Sequence, residues 1–206
     1  MSEGTVRKQT LRKNTVKTRL IIFGTLAVIL IVCSFFSEYL TPYDPYLQNL
    51  DIAKQAPTSA HPLGTDRYGR DMLSRVIAGS RASIFSTLLL VAVITALGTA
   101  VGVTCGWVGG WVDTVLMRIS DVFLAFPGLV FALAVAGSLG GGLQNAIIAL
   151  AAISWPKYAR IARSQTLSQK ETQWMKAVRL SGSGTGKIIF KHILPNIIGP
   201  ILVTSM

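Results

Sequence analysis

The chain of 206 residues is half hydrophobic, only 14% of its residues are charged, and its formal net charge is +11. Charged residues are absent from three long stretches of the sequence: 20–37, 82–112 and 122–156. A soluble domain rarely tolerates such stretches, so the composition excludes a soluble globular protein and predicts a chain that lies in a bilayer. Backbone polar groups in lipid must hydrogen-bond within their own segment, so we expect the spanning elements to be helices.

The N-terminal segment 1–19 is basic, and the apolar run after it predicts a first transmembrane helix over 20–38. A secretory signal peptide has a similar basic start, but no small-residue cleavage site follows this run, which reads V-C-S-F-F-S-E around Cys33. A retained helix is therefore the favoured interpretation. The two cysteines, Cys33 and Cys105, fall in predicted spans, so neither a disulfide framework nor a metal site is indicated.

The loop predicted over 39–81 contains a dense patch, H-P-L-G-T-D-R-Y-G-R-D-M-L-S-R, that runs from His61 to Arg75. Thr65 or Asp66 could cap a helix start, and Asp71 lies four residues before Arg75, at the spacing of a helical ion pair. The patch could therefore be simple scaffolding before the second span. It has no arrangement of a nucleophile with a base, and the histidines at 61 and 192 each lack a second histidine or a cysteine nearby in sequence, so neither indicates a metal site.

The remaining apolar sequence predicts three more spans, at 82–106, 114–138 and 143–162. The glycines at 140–142 mark the turn between the last two. Arg118 and Asp121, one helical turn apart in the third span, could form a pair, although anchoring of Arg118 at the interface is an equally open interpretation.

The excess positive charge lies in two clusters, one before the first span and one after the fourth. The second cluster consists of Lys157, Arg160, Arg163, Lys170, Lys176, Arg179, Lys187 and Lys191. Positive segments next to spans are typically cytoplasmic, so an even number of crossings separates the clusters, the N-terminus is cytoplasmic and the 39–81 loop is extracytoplasmic. Because the clusters flank apolar runs and lack base-reading partners, the charge does not indicate nucleic-acid binding.

A basic segment broken by glycines, K-A-V-R-L-S-G-S-G-T-G-K-I-I-F-K-H-I-L-P, occupies 176–195. A helix over 169–181 would place four residues on one side: Trp174, Ala177, Val178 and Ser181. Gly182, Gly184 and Gly186 would then end this helix, and we expect Gly182, directly after it, to adopt a positive φ angle. Such a helix suits docking into a groove of a soluble partner, and a position flat on the bilayer surface is the alternative.

This segment resembles the EAA loop of bacterial binding-protein-dependent ABC importers, in which E-A-A is followed by three residues, G, nine residues and I-x-L-P. Here Lys176-Ala177-Val178 stands at the triplet, Gly182 at the glycine and His192-Ile193-Leu194-Pro195 at the end. Lysine replaces the family glutamate, and valine replaces the second alanine. The resemblance implies an ATPase-coupling segment at 166–195 with these coupling residues: Trp174, Lys176, Ala177, Val178, Gly182, His192, Leu194 and Pro195.

The loop patch is similar to the L-G-T-D-x-x-G-R-D signature of the dipeptide, oligopeptide and nickel permeases of that family. The matching positions are Gly64, Thr65, Asp66, Gly69, Arg70 and Asp71. The resemblance implies an all-α, multi-pass permease with the type I ABC importer transmembrane fold, in the bacterial cytoplasmic membrane. It pairs with a second permease subunit, docks ABC ATPases and receives peptide, nickel or a metal chelate from an extracytoplasmic solute-binding protein. The chain has no G-x-x-x-x-G-K-[ST] loop, so we expect no ATPase activity of its own and no bound cofactor.

Only residues 196–206 follow Pro195, so the whole chain is predicted to contain four full spans and the start of a fifth, with the permease core at 82–206. A truncated permease that acts as an inactive membrane anchor or assembly fragment is the alternative function. A membrane enzyme would need catalytic groups in or beside its spans, and the predicted spans contain no histidine and no carboxylate pair. The sequence leaves the choice between peptide and nickel open.

Overall fold

A computed structural model describes the backbone of residues 3–205 and the side chains of residues 18–204. Within these ranges every extended element is helical, and the only β-type pairing is an isolated bridge between Thr65 and Asp71. The predicted all-α fold class is therefore confirmed. Contacts divide the chain into two compact units, the first ending at Phe85 and the second beginning at Ser86.

The first unit contains helix α1 (Glu3–Phe35), the short helix α2 (Ser37–Leu40) and the first turns of α3 (Met72–Val108). Between α2 and α3 lies a loop, residues 41–71, which we call the motif loop. Its only regular structure is a short 3-10 helical turn at Leu50–Ile52. The side chains of α1 from Leu20 to Val32 are largely exposed, as expected for a helix surrounded by lipid rather than by protein.

The second unit contains the rest of α3 and six further helices. These are α4 (Gly110–Ala125), α5 (Gly128–Ser138), α6 (Leu143–Lys170), α7 (Gln173–Leu180), α8 (Thr185–Ile188) and α9 (Leu194–Ser205). A π-helical turn at Ile189–Ile193 joins α8 to α9. The predicted turn between α5 and α6 is confirmed, because the glycines at 140–142 all have positive φ angles of 73° to 91°.

Three helical segments of the described residues are long and apolar enough to cross a membrane: Thr18–Phe35, Met72–Val108 and Thr185–Thr204. Helix α3 is 37 residues long, or about 55 Å at 1.5 Å per residue, so it exceeds the hydrocarbon thickness. The first span ends at Phe35 rather than at 38, because the helix breaks at Phe36. The predicted fourth span lies inside α6, which continues to Lys170 and is more polar than these three segments.

The third predicted span, 114–138, is wrong as a single straight helix. Helices α4 and α5 divide it and are bent by 89° relative to each other. The break falls at Phe126-Pro127-Gly128: Pro127 has no N–H to continue the helix, and Phe126 before it is extended, with ψ at 144°. The pair counts as a fourth crossing if it acts as one broken span.

The expectation of only a short fifth helix after Pro195 is also wrong. The helical path begins at Thr185 and includes 20 residues up to Thr204. The π-helical turn lets the helix continue through Pro195, which cannot donate a backbone hydrogen bond. The side-chain amide of Asn196 donates to the carbonyl of His192 at 2.7 Å, which satisfies one of the acceptors in this turn.

Close contact between α3 and α6 organises the second unit. Gly98, Gly102 and Gly106 lie one turn apart on α3 and face the backbone of α6 from Trp155 to Thr166. A Cβ atom added at Gly102 would lie 2.2 Å from the carbonyl oxygen of Ala159. The two backbones therefore approach as closely as small residues allow, the packing that replaces hydrophobic burial between helices in lipid. Apolar side chains from α3, α6, α7, α8, the π-helical turn and α9 surround this crossing: Ile94, Val103, Tyr158, Ala162, Met175, Ile188, Ile193, Ile197 and Ile201.

Candidate functional site

The two glycines of the loop signature fix the backbone of the motif loop. Gly64 and Gly69 both have a φ angle of +71°, which a residue with a side chain rarely adopts. A Cβ atom at Gly69 would lie 1.6 Å from the carbonyl oxygen of Asn49, and one at Gly64 would lie 2.5 Å from that of Gln55. Thr65 between them binds the same opposite segment, because its hydroxyl accepts from the Gln55 amide at 2.9 Å and donates to the carbonyl of Ile52.

Asp66 is the centre of the loop's hydrogen bonds. Its carboxylate accepts from the backbone amides of Tyr68 and Arg70 at 2.8 and 3.1 Å. It also forms ion pairs with the guanidinium groups of Arg70 at 2.7 Å and Arg75 at 2.9 Å. Partial desolvation opposes ionisation, but the hydrogen bonds from Arg70 and Tyr68 and the charge of Arg70 outweigh it and lower the pKa of Asp66 from 3.8 to about 2.

Asp71 caps the start of α3. Its buried carboxylate accepts from both the amide and the hydroxyl of Ser74 at 2.7 Å, and it lies 2.9 Å from Nδ1 of His61. Burial alone would raise the pKa of Asp71. The hydrogen bonds from Ser74 and His61 lower it by more than burial raises it, so the pKa lies below its usual value. The predicted pairing of Asp71 with Arg75 and the predicted cap at Thr65 or Asp66 are both wrong, because Arg75 turns back to Asp66 and leaves Asp71 to cap the helix.

The signature residues of the motif loop therefore bond mainly to one another and to the loop. The guanidinium groups of Arg67 and Arg70 stack on the Tyr68 ring, 4.7 and 4.8 Å from its centroid. The hydroxyl of Ser74 accepts from the Tyr43 amide at 3.1 Å, which ties the start of α3 to the beginning of the loop. This geometry favours the scaffolding interpretation that the sequence left open, since the signature gives the loop a defined shape.

The second site is the predicted coupling segment at 166–195. The predicted helix over 169–181 is wrong as one element: α6 ends at Lys170, and α7 begins only at Gln173. Within α7, Met175 is fully buried and Val178 is half-buried against the core. Trp174 and Ala177, predicted on the same side of the helix as Val178, are exposed.

Helix α7 ends in the turn expected from the glycines. Gly182 has a φ angle of +76°, which confirms the left-handed conformation predicted after the helix. No atom lies within 4 Å of a Cβ atom built there, so the requirement for glycine is conformational and not steric. Gly184 and Gly186 have ordinary negative φ angles, and Gly184 starts α8.

The end of the coupling segment returns to α7. The rings of Trp174 and His192 lie 5.9 Å apart, which links α7 to the π-helical turn. Leu194 packs against the core while Pro195 is exposed, at the start of α9. Helix α7 thus presents Lys176, Ala177 and Leu180 outward from a buried anchor at Met175, and Leu180 is 89% exposed.

Two features of this unit were missed from the sequence. The guanidinium of Arg163 binds both carboxylate oxygens of Asp113 at 2.5 and 2.6 Å, which joins α6 to α4. Arg160 binds Asp121 at 2.6 Å, closer than the predicted partner Arg118 at 3.9 Å. Residues 50 and 39 positions apart in sequence cannot be paired by helical spacing. The glycines at 98, 102 and 106 carried a usable signal, since small residues four apart in a span indicate close helix packing.

Together the apolar helices, the ordered loop and the exposed short helix α7 define a multi-pass helical membrane protein. Residues 98–206 match the family described as binding-protein-dependent transport system inner membrane component, which is more than half of the chain. The chain belongs to this family.

Three curated relatives indicate which branch of this family the chain resembles, that of the peptide and nickel permeases. A glutathione transport system permease protein of Pectobacterium atrosepticum is 38% identical over 87% of this chain and 60% of its own length. A di/tripeptide transport system permease protein of Pseudomonas aeruginosa is 36% identical over 88% of the chain and 62% of its own length. A nickel transport system permease protein of Escherichia coli is 36% identical over 93% of the chain and 68% of its own length. The chain thus spans about 60% of the length of the first two relatives.

Proposed function

We propose that the chain is a permease subunit of an ATP-driven importer that moves peptides, nickel or a metal chelate across the bacterial cytoplasmic membrane. The observation that carries the proposal is the family match over residues 98–206, which includes the whole predicted coupling segment at 166–195. Relatives named for peptide and for nickel transport have the same identity to this chain, 36%, so the substrate class covers both. Partner subunits supply ATP hydrolysis, because the chain itself has no phosphate-binding loop.

In this proposal α7 is the helix that a cytoplasmic ATPase grips. Its outward side offers Ala177 and Leu180 as apolar contacts and Lys176 as a charge, a suitable surface for a helix-in-groove interface. Its inward side ends at Met175 among residues of α3, α6 and α9, so a displacement of α7 by the ATPase is passed to the spanning helices as a rigid-body movement. A paired second permease subunit then lines the path with this one.

The outward side of α7 is tested by charge introduction. Leu180→Asp places a carboxylate in the proposed interface, where it is buried without a partner, and we expect capture of the purified ATPase subunits to fall by about tenfold or more. The matched control is Leu50→Asp, an equally simple change at a leucine that is 71% exposed in the motif loop. Capture by the Leu180 variant at the wild-type level would contradict the docking role.

The orientation follows from the same proposal. Both basic clusters face the cytoplasm, and the motif loop faces the extracytoplasmic side, where a solute-binding protein delivers substrate. Single cysteines at Ser59 and Ser183, in a chain lacking Cys33 and Cys105, test this with an impermeant thiol reagent. We expect only the Ser59 variant to be labelled from outside intact cells. Labelling of both would contradict the orientation.

A further inference from the structure

Two residues connect α6 to α7, and rotation about their backbone bonds would change the orientation of α7. This link consists of Glu171 and Thr172, and Thr172 is extended, with φ at −66° and ψ at 149°. Rotation about this link would swing α7 as a unit, since helices move most easily about the few residues that join them. Other contacts must therefore hold α7 at its position on the core.

Trp107 on α3 supplies contacts to both sides of this link. The ammonium of Lys170, the last residue of α6, donates to the backbone carbonyl of Trp107 at 2.7 Å. The guanidinium of Arg179, in the last turn of α7, lies over the indole ring, 4.6 Å from its centroid. The carbonyl of Trp107 is among the last of α3, where no helical donor follows, so Lys170 satisfies it.

The ring of Trp107 is half-buried and packs against the same core as Met175 and Val178. A guanidinium that stacks on a partly desolvated indole is held more strongly than one on an exposed ring. The next tryptophan, Trp111, is 79% exposed at the start of α4 and has no such cationic partner among the described contacts. The two tryptophans are therefore not equivalent as interfacial residues.

From this geometry we infer that Trp107 is a positioning residue: it holds α7 against the end of α3 through Arg179 and so sets the orientation in which the docking helix is presented. The inference deepens the proposed function and rests on it for the meaning of that orientation. The contacts themselves require no partner protein. They can be tested on the purified chain alone.

The test measures how often α7 leaves the core. A cysteine replaces Met175, the fully buried residue of α7, in the full chain lacking Cys33 and Cys105. Its rate of thiol labelling in detergent micelles reports the local opening of α7. We expect Trp107→Leu to raise this rate about tenfold, because it removes the stacking surface for Arg179. Trp107→Phe, which keeps an aromatic face, restores slow labelling.

Arg179→Gln gives an independent measurement of the same contact. We expect it to accelerate labelling of the cysteine at 175 in the chain with Trp107 and to add nothing in the Trp107→Leu background, as required for two residues that act through each other. Additive effects of the two substitutions would overturn the inference. So would Trp107→Leu labelling no faster than Trp111→Leu, the outcome expected if Trp107 only anchors the chain at a membrane interface.

General loosening is separated by a buried cysteine placed elsewhere. Ala149 on α6 is fully buried in a second cluster with Ala132 and Ile153. A cysteine there should label at the same slow rate in all variants, and equal acceleration at 149 and 175 would overturn the inference. ATPase capture is measured on the same proteins: Trp107→Leu is expected to weaken it severalfold, and Trp107→Phe to preserve it. If no variant and no wild-type chain captures an ATPase while the labelling pattern holds, the proposed function fails and the positioning contact stands.

Discussion

Replacement of Gly102 by alanine tests the closest of the three glycine contacts between α3 and α6. The added Cβ atom would lie 2.2 Å from the carbonyl oxygen of Ala159, 2.7 Å from the Cβ atom of Ala162 and 2.9 Å from the amide nitrogen of Arg163. These neighbours are backbone atoms or atoms fixed to the backbone, so no rotamer change relieves the overlap. Ordinary contact begins at 3.4 Å, so the helices must separate locally by about 1 Å.

The cost of this separation can be bounded from packing. Overfilling a well-packed contact usually costs about 1 to 3 kcal/mol, and a gap of about 1 Å weakens dispersion attraction along the rest of the crossing. We therefore expect Gly102→Ala to lower the free energy of unfolding by about 2 kcal/mol or more. The predicted order of severity is Gly102, then Gly98, then Gly106, where the shortest contacts are 2.2, 2.4 and 2.8 Å.

Gly79→Ala on the same helix is the matched control. No atom lies within 4 Å of a Cβ atom at Gly79, so alanine there should be neutral or stabilising by up to about 1 kcal/mol through its higher helix propensity. Unfolding of the purified variants is followed by circular dichroism as dodecyl sulfate is added to mixed micelles. If the alanines at 102 and 79 change the unfolding midpoint in the same direction and by the same amount, the close crossing of α3 and α6 does not exist.

Three further changes have signs that the structure determines. Gly182→Val should destabilise the end of α7 by roughly 1 to 2 kcal/mol because φ is positive there, whereas Gly182→Asn should be tolerated. Protease cleavage between α7 and α8 measures the difference, and equal cleavage of the two variants would contradict this prediction. Because the folded loop lowers the pKa of Asp66 from 3.8 to about 2, the ionised carboxylate stabilises the motif loop at pH values above 3.8. This stabilisation is lost as the pH falls from about 4 to about 2. Pepsin cleavage of the loop should rise across that window in the wild type and be high throughout in Asp66→Asn; a pH-independent wild-type rate would contradict this. Asp113→Asn should lower the free energy of unfolding by about 1 to 3 kcal/mol, because it leaves Arg163 without its bidentate partner. The double variant with Arg163→Gln should recover part of this loss in the same detergent unfolding assay. A double variant whose loss equals the sum of the two single losses would contradict the pair.

Glycine signals in the sequence were reliable where they reported a local backbone requirement. The turn at 140–142 and the positive φ of Gly182 were both predicted, because residues that adopt this conformation without strain are few and glycine is the commonest. The bend at Pro127 was missed although the Pro-Gly pair is a turn signal. Hydropathy does not register it, since the segments on both sides are apolar and an interrupted span has the same mean hydropathy as a straight one.

The buried side of α7 was not predicted, and the partners of the loop carboxylates were mispredicted. Helical spacing shows which residues share a side of a helix but not which side packs against the rest of the protein, and α7 buries Met175, outside the predicted set. Spacing also favoured the pair between Asp71 and Arg75, but the reversal of the loop brings Arg75 to Asp66 instead. Contacts made by chain reversal depend on the three-dimensional path, which no local pattern contains.

The ion pairs of α6 change what the second basic cluster can do. Arg160 and Arg163 were counted with the positive charges after the fourth span, yet they bind Asp121 and Asp113 at 2.6 and 2.5 Å. The positive-inside rule counts lysine and arginine with little regard to nearby acids, so the predicted orientation does not change. Attraction to anionic lipid headgroups depends on the net local charge, however, and the two pairs cancel part of it. Any such attraction therefore depends more on the exposed lysines of this cluster, such as Lys187 and Lys191, which precede α9.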